Sequence, residues 1–200
     1  MTSAIAANTG FTLNDIDIGL RVFDALAHHA HAMHGAPITY TDLLTLARKL
    51  QPKDAALGRA VPVGIGMKLR FVSGFCAAYG HPDLACLAVN RATMRPATGD
   101  ADAWEAECHA VAAVDWSAAR PTITTYADTV RATVPARLKP RKERPADVAW
   151  YAYFCSHRSA CDKVTQHDKQ EIINLIMAGL DPDTSLRRVL AAKADFSEEP

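Results

Sequence analysis

Residues 37–99 read PITYTDLLTLARKLQPKDAALGRAVPVGIGMKLRFVSGFCAAYGHPDLACLAVNRATMRPATG, and the architecture of the chain turns on them. Thr39 is placed to cap a helix, and Asp42 three residues on completes a capping-box pattern with a shorter acid than usual. Leu43, Ala47 and Leu50 then stripe a helix of about three turns, which Gln51-Pro52 closes. Pro62 suits the first turn of a second, longer helix, with Ile65, Leu69, Val72, Cys76 and Tyr79 on one face up to Gly80. Gly64 and Gly66 each cost roughly 1 kcal/mol relative to Ala inside a helix, so the start of this element is expected to be irregular. The short apolar run Leu84–Val89 predicts a buried strand, and Asn90–Gly99, with Arg91, Arg95 and Pro96, an exposed turn or wing. Short capped helix, loop, longer helix, strand and basic wing is the element order of a winged-helix unit.

Working outward, residues 1–11 are small and polar and read as a loose arm. Thr12 or Asn14 can cap a helix in which Ile16, Leu20, Phe23, Ala27 and Ala30 recur at helical period, ending near His34 because Gly35 suits a left-handed stop. Residues 100–116 hold Asp100, Asp102, Glu105, Glu107 and Asp115 with no Lys or Arg, and Trp104, Cys108, Val111 and Val114 give them an apolar face: an acidic amphipathic helix. Another helix follows Pro121. Three prolines and five cations in 135–145 leave little to bury there. The expected fold is mainly α with a small β element, a winged-helix-like unit followed by a helical C-terminal region. Its parts are a domain over 12–116 with flanking helices, a connecting helix over 117–134, a basic Pro-rich linker over 135–146, and helices over 147–194.

Composition sets limits on function. Hydrophobic residues make up 49% of the 200, enough for a core of ordinary size without metals or disulfides. Lys plus Arg equals Asp plus Glu at 22 each, so any nucleic-acid surface must come from segregated charge and not from net charge. No run approaches the roughly 20 apolar residues of a membrane span. Five cysteines without a C-x-x-C pair, and an N-terminus without signal-peptide character, point to free thiols in a reducing cytoplasm.

The cations of 37–99 are well placed for duplex DNA. Lys68, Arg70 and Ser73 would lie on or beside the exposed face of the longer helix, with Arg59 just before it, and such a helix can enter a major groove and offer Arg or Lys to guanine edges. Arg91 and Arg95 on the wing would meet phosphates or a minor groove. Arg137, Lys139, Arg141, Lys142 and Arg144 on the linker would add salt-sensitive phosphate contacts. Residues 20–99 also resemble the winged-helix domain of the alkylguanine-DNA alkyltransferases and alkyltransferase-like proteins. Val22-Phe23-Asp24-Ala25-Leu26 corresponds to the helix that precedes it, Ile38-Thr39-Tyr40-Thr41-Asp42-Leu43 to its capped entry, and Leu57-Gly58-Arg59-Ala60-Val61 to the start of its recognition segment. The resemblance implies a shared scaffold and DNA as ligand, without the family's chemistry. The alkyl-accepting cysteine there sits in Pro-Cys-His-Arg, whereas Cys86 lies in Leu84-Ala85-Cys86-Leu87, with no neighbouring histidine to help form a thiolate.

The leading expectation is therefore a non-catalytic DNA-binding protein that needs no cofactor. A second reading is a protein-interaction module, adaptor or inhibitor, anchored by Trp104 and Trp116 of the acidic helix. A third is a nuclease or transferase with a site between the two halves, although no H-E-x-x-H, G-x-S-x-G, P-loop or G-x-G-x-x-G occurs. Two sets of side chains have metal-binding types. His28, His31 and His34 spread over about 120° of a helix, so two of them could share an ion. Cys155, His157, Cys161 and His167 follow no common zinc spacing, and on a helix Cys155 and His157 point about 200° apart.

Overall fold

The computed structural model describes residues 10–94, 101–136 and 138–197. Helix α1 (Leu13–Ala32) is the axis of the first half. Thr12 opens it with a full capping box: its hydroxyl accepts from the Asp15 amide, and the Asp15 carboxylate accepts from the Thr12 amide and hydroxyl. Ile16, Ile18, Leu20, Val22, Phe23, Ala25 and Leu26 are all buried, so the helix is covered around much of its circumference. Its chain then turns through His34 and Gly35, both at positive φ.

A two-residue strand β1 (Ile38–Thr39) leads into α2 (Tyr40–Leu50), capped by Thr39 as its sequence requires. The short α3 (Ala55–Arg59) follows behind an Asp54 cap, and a 3₁₀ turn over Pro62–Gly64 supplies the irregular entry to α4 (Ile65–Tyr79). Gly80 ends α4 in the left-handed conformation. The run expected as a strand over 84–89 instead makes a 3₁₀ turn over Leu84–Leu87, because Asp83 accepts from the Ala85 amide and starts a helical turn. Only β2 (Ala88–Val89) is extended, and it pairs with β1 in parallel, Ile38 opposite Ala88. The wing expected over 90–99 lies outside the described residues from position 95 on; up to Met94 the chain forms no second strand against β2.

Helices α5 (Ala101–Ala112) and α6 (Arg120–Thr133) complete this half. The segment read as a connecting helix, α6, belongs to the first core: Ile123, Tyr126, Ala127 and Val130 pack with Phe23, Phe71 and Phe75. The C-terminal half has a second core, built from Ala146 and Trp150 of α7 (Glu143–Ser156), Ile172, Ile173, Leu175 and Ile176 of α8 (Gln166–Met177), and Leu186 and Val189 of α9 (Pro182–Ser197). Helix α7 starts within the segment read as linker, since Pro145 fits a first helical turn. The rest of that segment is docked: the Arg141 amide donates to Met177 O at 2.7 Å, and Leu138 and Lys139 lie against Gly179 so closely that a Cβ there would overlap their backbone.

Phe71 is fully buried between the Phe11 and Tyr126 rings, with Gly19 of α1 directly against it. Phe71→Ala should lower the unfolding free energy by about 3–5 kcal/mol, read as a shift of the urea midpoint at unchanged slope.

Candidate functional site

The two halves meet through charge. Lys68 of α4, 3% exposed, has its Nζ 3.0 Å from Asp15 Oδ1 of α1 and 3.1 Å from Glu171 Oε1 of α8. Arg188 of α9 holds the other Asp15 oxygen at 2.7 Å. Asn174, one helical turn after Glu171, donates to Glu171 Oε2 and to the Arg59 carbonyl, both at 3.1 Å. Gly64 completes the arrangement, because a Cβ at this position would overlap the Glu171 carboxylate. Burial alone would push the Asp15 carboxyl up; Lys68, then Arg188 and the Thr12 amide, outweigh it and bring the pKa down to about 2. Burial pulls the Lys68 ammonium the other way, and Glu171 and Asp15 together hold its pKa above the usual lysine value.

This network corrects the expected DNA contacts. Lys68 faces inward and is saturated by two carboxylates, so it cannot reach a base edge. The longer helix is no recognition helix lying on a surface. It buries Ile65, Phe71, Val72, Phe75 and Cys76, covered by α1 on one side and by the C-terminal half at its start. Ser73 is half-buried and donates to both oxygens of Asp83 at 2.9 Å. Arg59 is half-buried, while Arg70 and Arg91 are exposed; Arg95 and Arg137 lie outside the described residues. The tryptophans expected as interaction anchors also turn inward. Trp116 is buried, donates to Val111 O at 3.0 Å and packs on Phe23 and His81, and half-buried Trp104 donates to Cys86 O at 2.8 Å.

What stays outside is a set of cations. Lys139, Arg141, Lys142 and Arg144 are all exposed, and among the described residues none of them, nor Arg70 or Arg91, is in an ion pair. The first two of these four flank the C-terminal end of α8 and the last two the N-terminal end of α7. Arg144 also shares a face of α7 with Val148 and Tyr151, spaced four and seven residues on, and Tyr151 is 68% exposed. Two clefts of about 360 Å³ each hold further cations. One is lined by Arg70 and Arg188 beside Gly64 and Glu171, the other by Arg91 and Lys193 beside His167, Tyr40 and Thr41.

The metal-type residues do not assemble. Among the described residues no group of three or more His, Cys, Asp or Glu could hold an ion. Cys161 is buried in the second core while Cys155 is exposed, and His157 stacks on Tyr153 with its Nδ1 3.0 Å from that residue's carbonyl. His29 instead contacts Ala36 O at 2.8 Å. No helix among the described residues is long and apolar enough to cross a membrane. No family model, curated protein or solved structure matches the chain.

The residues that sequence reading missed are Asp15, Glu171, Asn174 and Arg188. One signal was present: Lys68 falls three residues after Ile65 and four before Val72, in register with the apolar face. Lys68→Ala leaves two carboxylates buried against each other and should cost about 3–5 kcal/mol, whereas Lys68→Met paired with Asp15→Asn and Glu171→Gln should recover much of it. The lowered Asp15 pKa stabilises the fold at pH values above the unfolded carboxylate value and loses that contribution as pH falls through the folded value. With a folded value of about 2 against 3.8, roughly 2 kcal/mol should disappear between pH 4 and pH 2, and urea titrations of Asp15→Asn should lack that step.

Proposed function

We propose that the protein binds nucleic acid, duplex DNA foremost, by holding the phosphate backbone against its exposed cations, with no chemistry of its own. The observation that carries this reading is the cluster Lys139, Arg141, Lys142 and Arg144: four exposed cations within six residues, unpaired among the described residues and carried on backbone tied to the end of α8. Such a cluster concentrates positive potential in a chain whose formal net charge is zero. Arg70 and Arg91 supply further phosphate contacts. With Lys68 withdrawn and α4 covered, insertion of a recognition helix is not part of the mechanism, and affinity comes from counterion release with little dependence on base sequence. Tyr151, on the same helix face as Arg144, offers a ring on which an unpaired base can stack.

Fluorescence anisotropy with a random duplex across a salt series tests this. Affinity should be measurable at low salt and fall linearly on a log–log plot, with a slope of about −0.9 per phosphate neutralised. The triple variant Arg141→Ala, Lys142→Ala, Arg144→Ala should bind at least about tenfold more weakly and flatten the slope by about 2–3. A wild-type protein that does not bind at low salt, or a triple variant that binds as wild type does, overturns the proposal.

A further inference from the structure

Two of the five cysteines lie together. Cys86, in the 3₁₀ turn before β2, and Cys108 of α5 have their sulfurs 3.7 Å apart, and both are half-buried, within reach of a small oxidant. Three further contacts dock α5 where the thiols face each other. Trp104 Nε1 donates to Cys86 O at 2.8 Å, the Asp83 amide donates to the Glu107 carboxylate, and Gly35 sits so close to the Cys108 carbonyl that no side chain fits between them. We propose that Cys86 and Cys108 form a reversible intramolecular disulfide that staples the acidic helix α5 to the turn leading into β2. A disulfide needs the sulfurs near 2.05 Å, and with the thiols already in contact that approach takes side-chain rotation and a small backbone adjustment.

The chemistry balances with glutathione disulfide as oxidant. The Cys108 thiolate attacks one glutathione sulfur and releases a glutathione thiolate. Cys86 then attacks the Cys108 sulfur of the mixed disulfide and expels the second. Two electrons pass from the two protein thiols to the oxidant, and their protons end on the two departing glutathione thiolates. Burial, then the Cys108 thiol and the Asp83 and Glu107 carboxylates, raise the Cys86 thiol far above its usual range; burial raises Cys108 as well, while the hydrogen bond from Cys86 favours its thiolate. Cys108 is thus the attacking sulfur, and the exchange is slow at neutral pH. This is a staple that closes under sustained oxidation and not a catalytic dithiol. The other three cysteines do not compete inside the fold: Cys76 and Cys161 are buried, and Cys155 lies exposed on α7 beside Tyr151.

The test is thiol mapping of the full chain after incubation with glutathione disulfide, by alkylation under native conditions and then after denaturation, followed by peptide mass spectrometry. The expected result is a linked pair of peptides containing Cys86 and Cys108, two thiols lost per chain, and full recovery with dithiothreitol. Cys155→Ser should retain the link, and Cys86→Ser should stop at a glutathione adduct on Cys108. Cys86 and Cys108 remaining alkylatable after denaturation, or a link involving Cys155 in the wild-type chain, overturns the proposal; this readout needs no variant to fold.

Discussion

A lysine ammonium with no water around it needs anions on hand, and Lys68 finds one in each half of the molecule: Asp15 from the first helix and Glu171 from the eighth. Removing three charges from water is costly, and their mutual attraction offsets that cost only when the geometry is held closely. The surrounding structure meets that condition. Arg188 takes the second Asp15 oxygen, Asn174 takes the second Glu171 oxygen, and Gly64 leaves the space that the Glu171 carboxylate occupies. Each half has its own apolar core, and among the described residues Val63 of the first half packs against the second core. Apolar contact tolerates sliding, whereas five polar groups held together by ion pairs and hydrogen bonds do not. The ion network therefore adds a directional constraint to the relative placement of the halves.

The same network decides what remains at the surface. Glu171 can reach Lys68 only if the C-terminal half covers the start of α4, and that cover takes the helix out of contention for a groove in DNA. Several carboxylates are taken up by cations of the framework: Arg21, Arg120, Arg131, Lys169, Arg187 and Lys193 all lie within 4 Å of one. Among the described residues Lys139, Arg141, Lys142 and Arg144 receive none, and the docked backbone before α7 keeps the four charges on one stretch of chain.

The capped helices were legible because their signals are local. Thr12, Thr39 and Thr165 each have an aspartate three residues on, and each hydroxyl accepts from the amide of that aspartate. The run 84–89 was not legible, since a short apolar stretch carries no period, and the Asp83 cap that bends it into a 3₁₀ turn is one residue outside it. Lys68 was misread for a different reason. A lysine is almost always solvated, and only the pairing with residues 53 and 103 positions away makes its burial tolerable. The tryptophans followed the same logic in reverse: the acidic residues of 100–116 suggested an exposed anchor, but each indole N–H found a carbonyl inward.

Equal numbers of positive and negative side chains set the total charge but not the field. At physiological salt a charge is felt over about 8 Å, so the local field at residues 139–144 is set by those four cations, offset by the single carboxylate of Glu143 among them. The orientation of the helices sharpens the contrast. Lys139 and Arg141 stand at the C-terminal end of α8, where the partial negative charge of the dipole steadies them. Lys142 and Arg144 stand at the N-terminal end of α7, where the dipole adds to their charge instead. A pair placed against its own helix dipole costs stability in the isolated protein, and an incoming polyanion relieves that cost on contact. In the proposed mode of binding, the part of the basic segment that is least comfortable alone is thus the part that gains most from a phosphate.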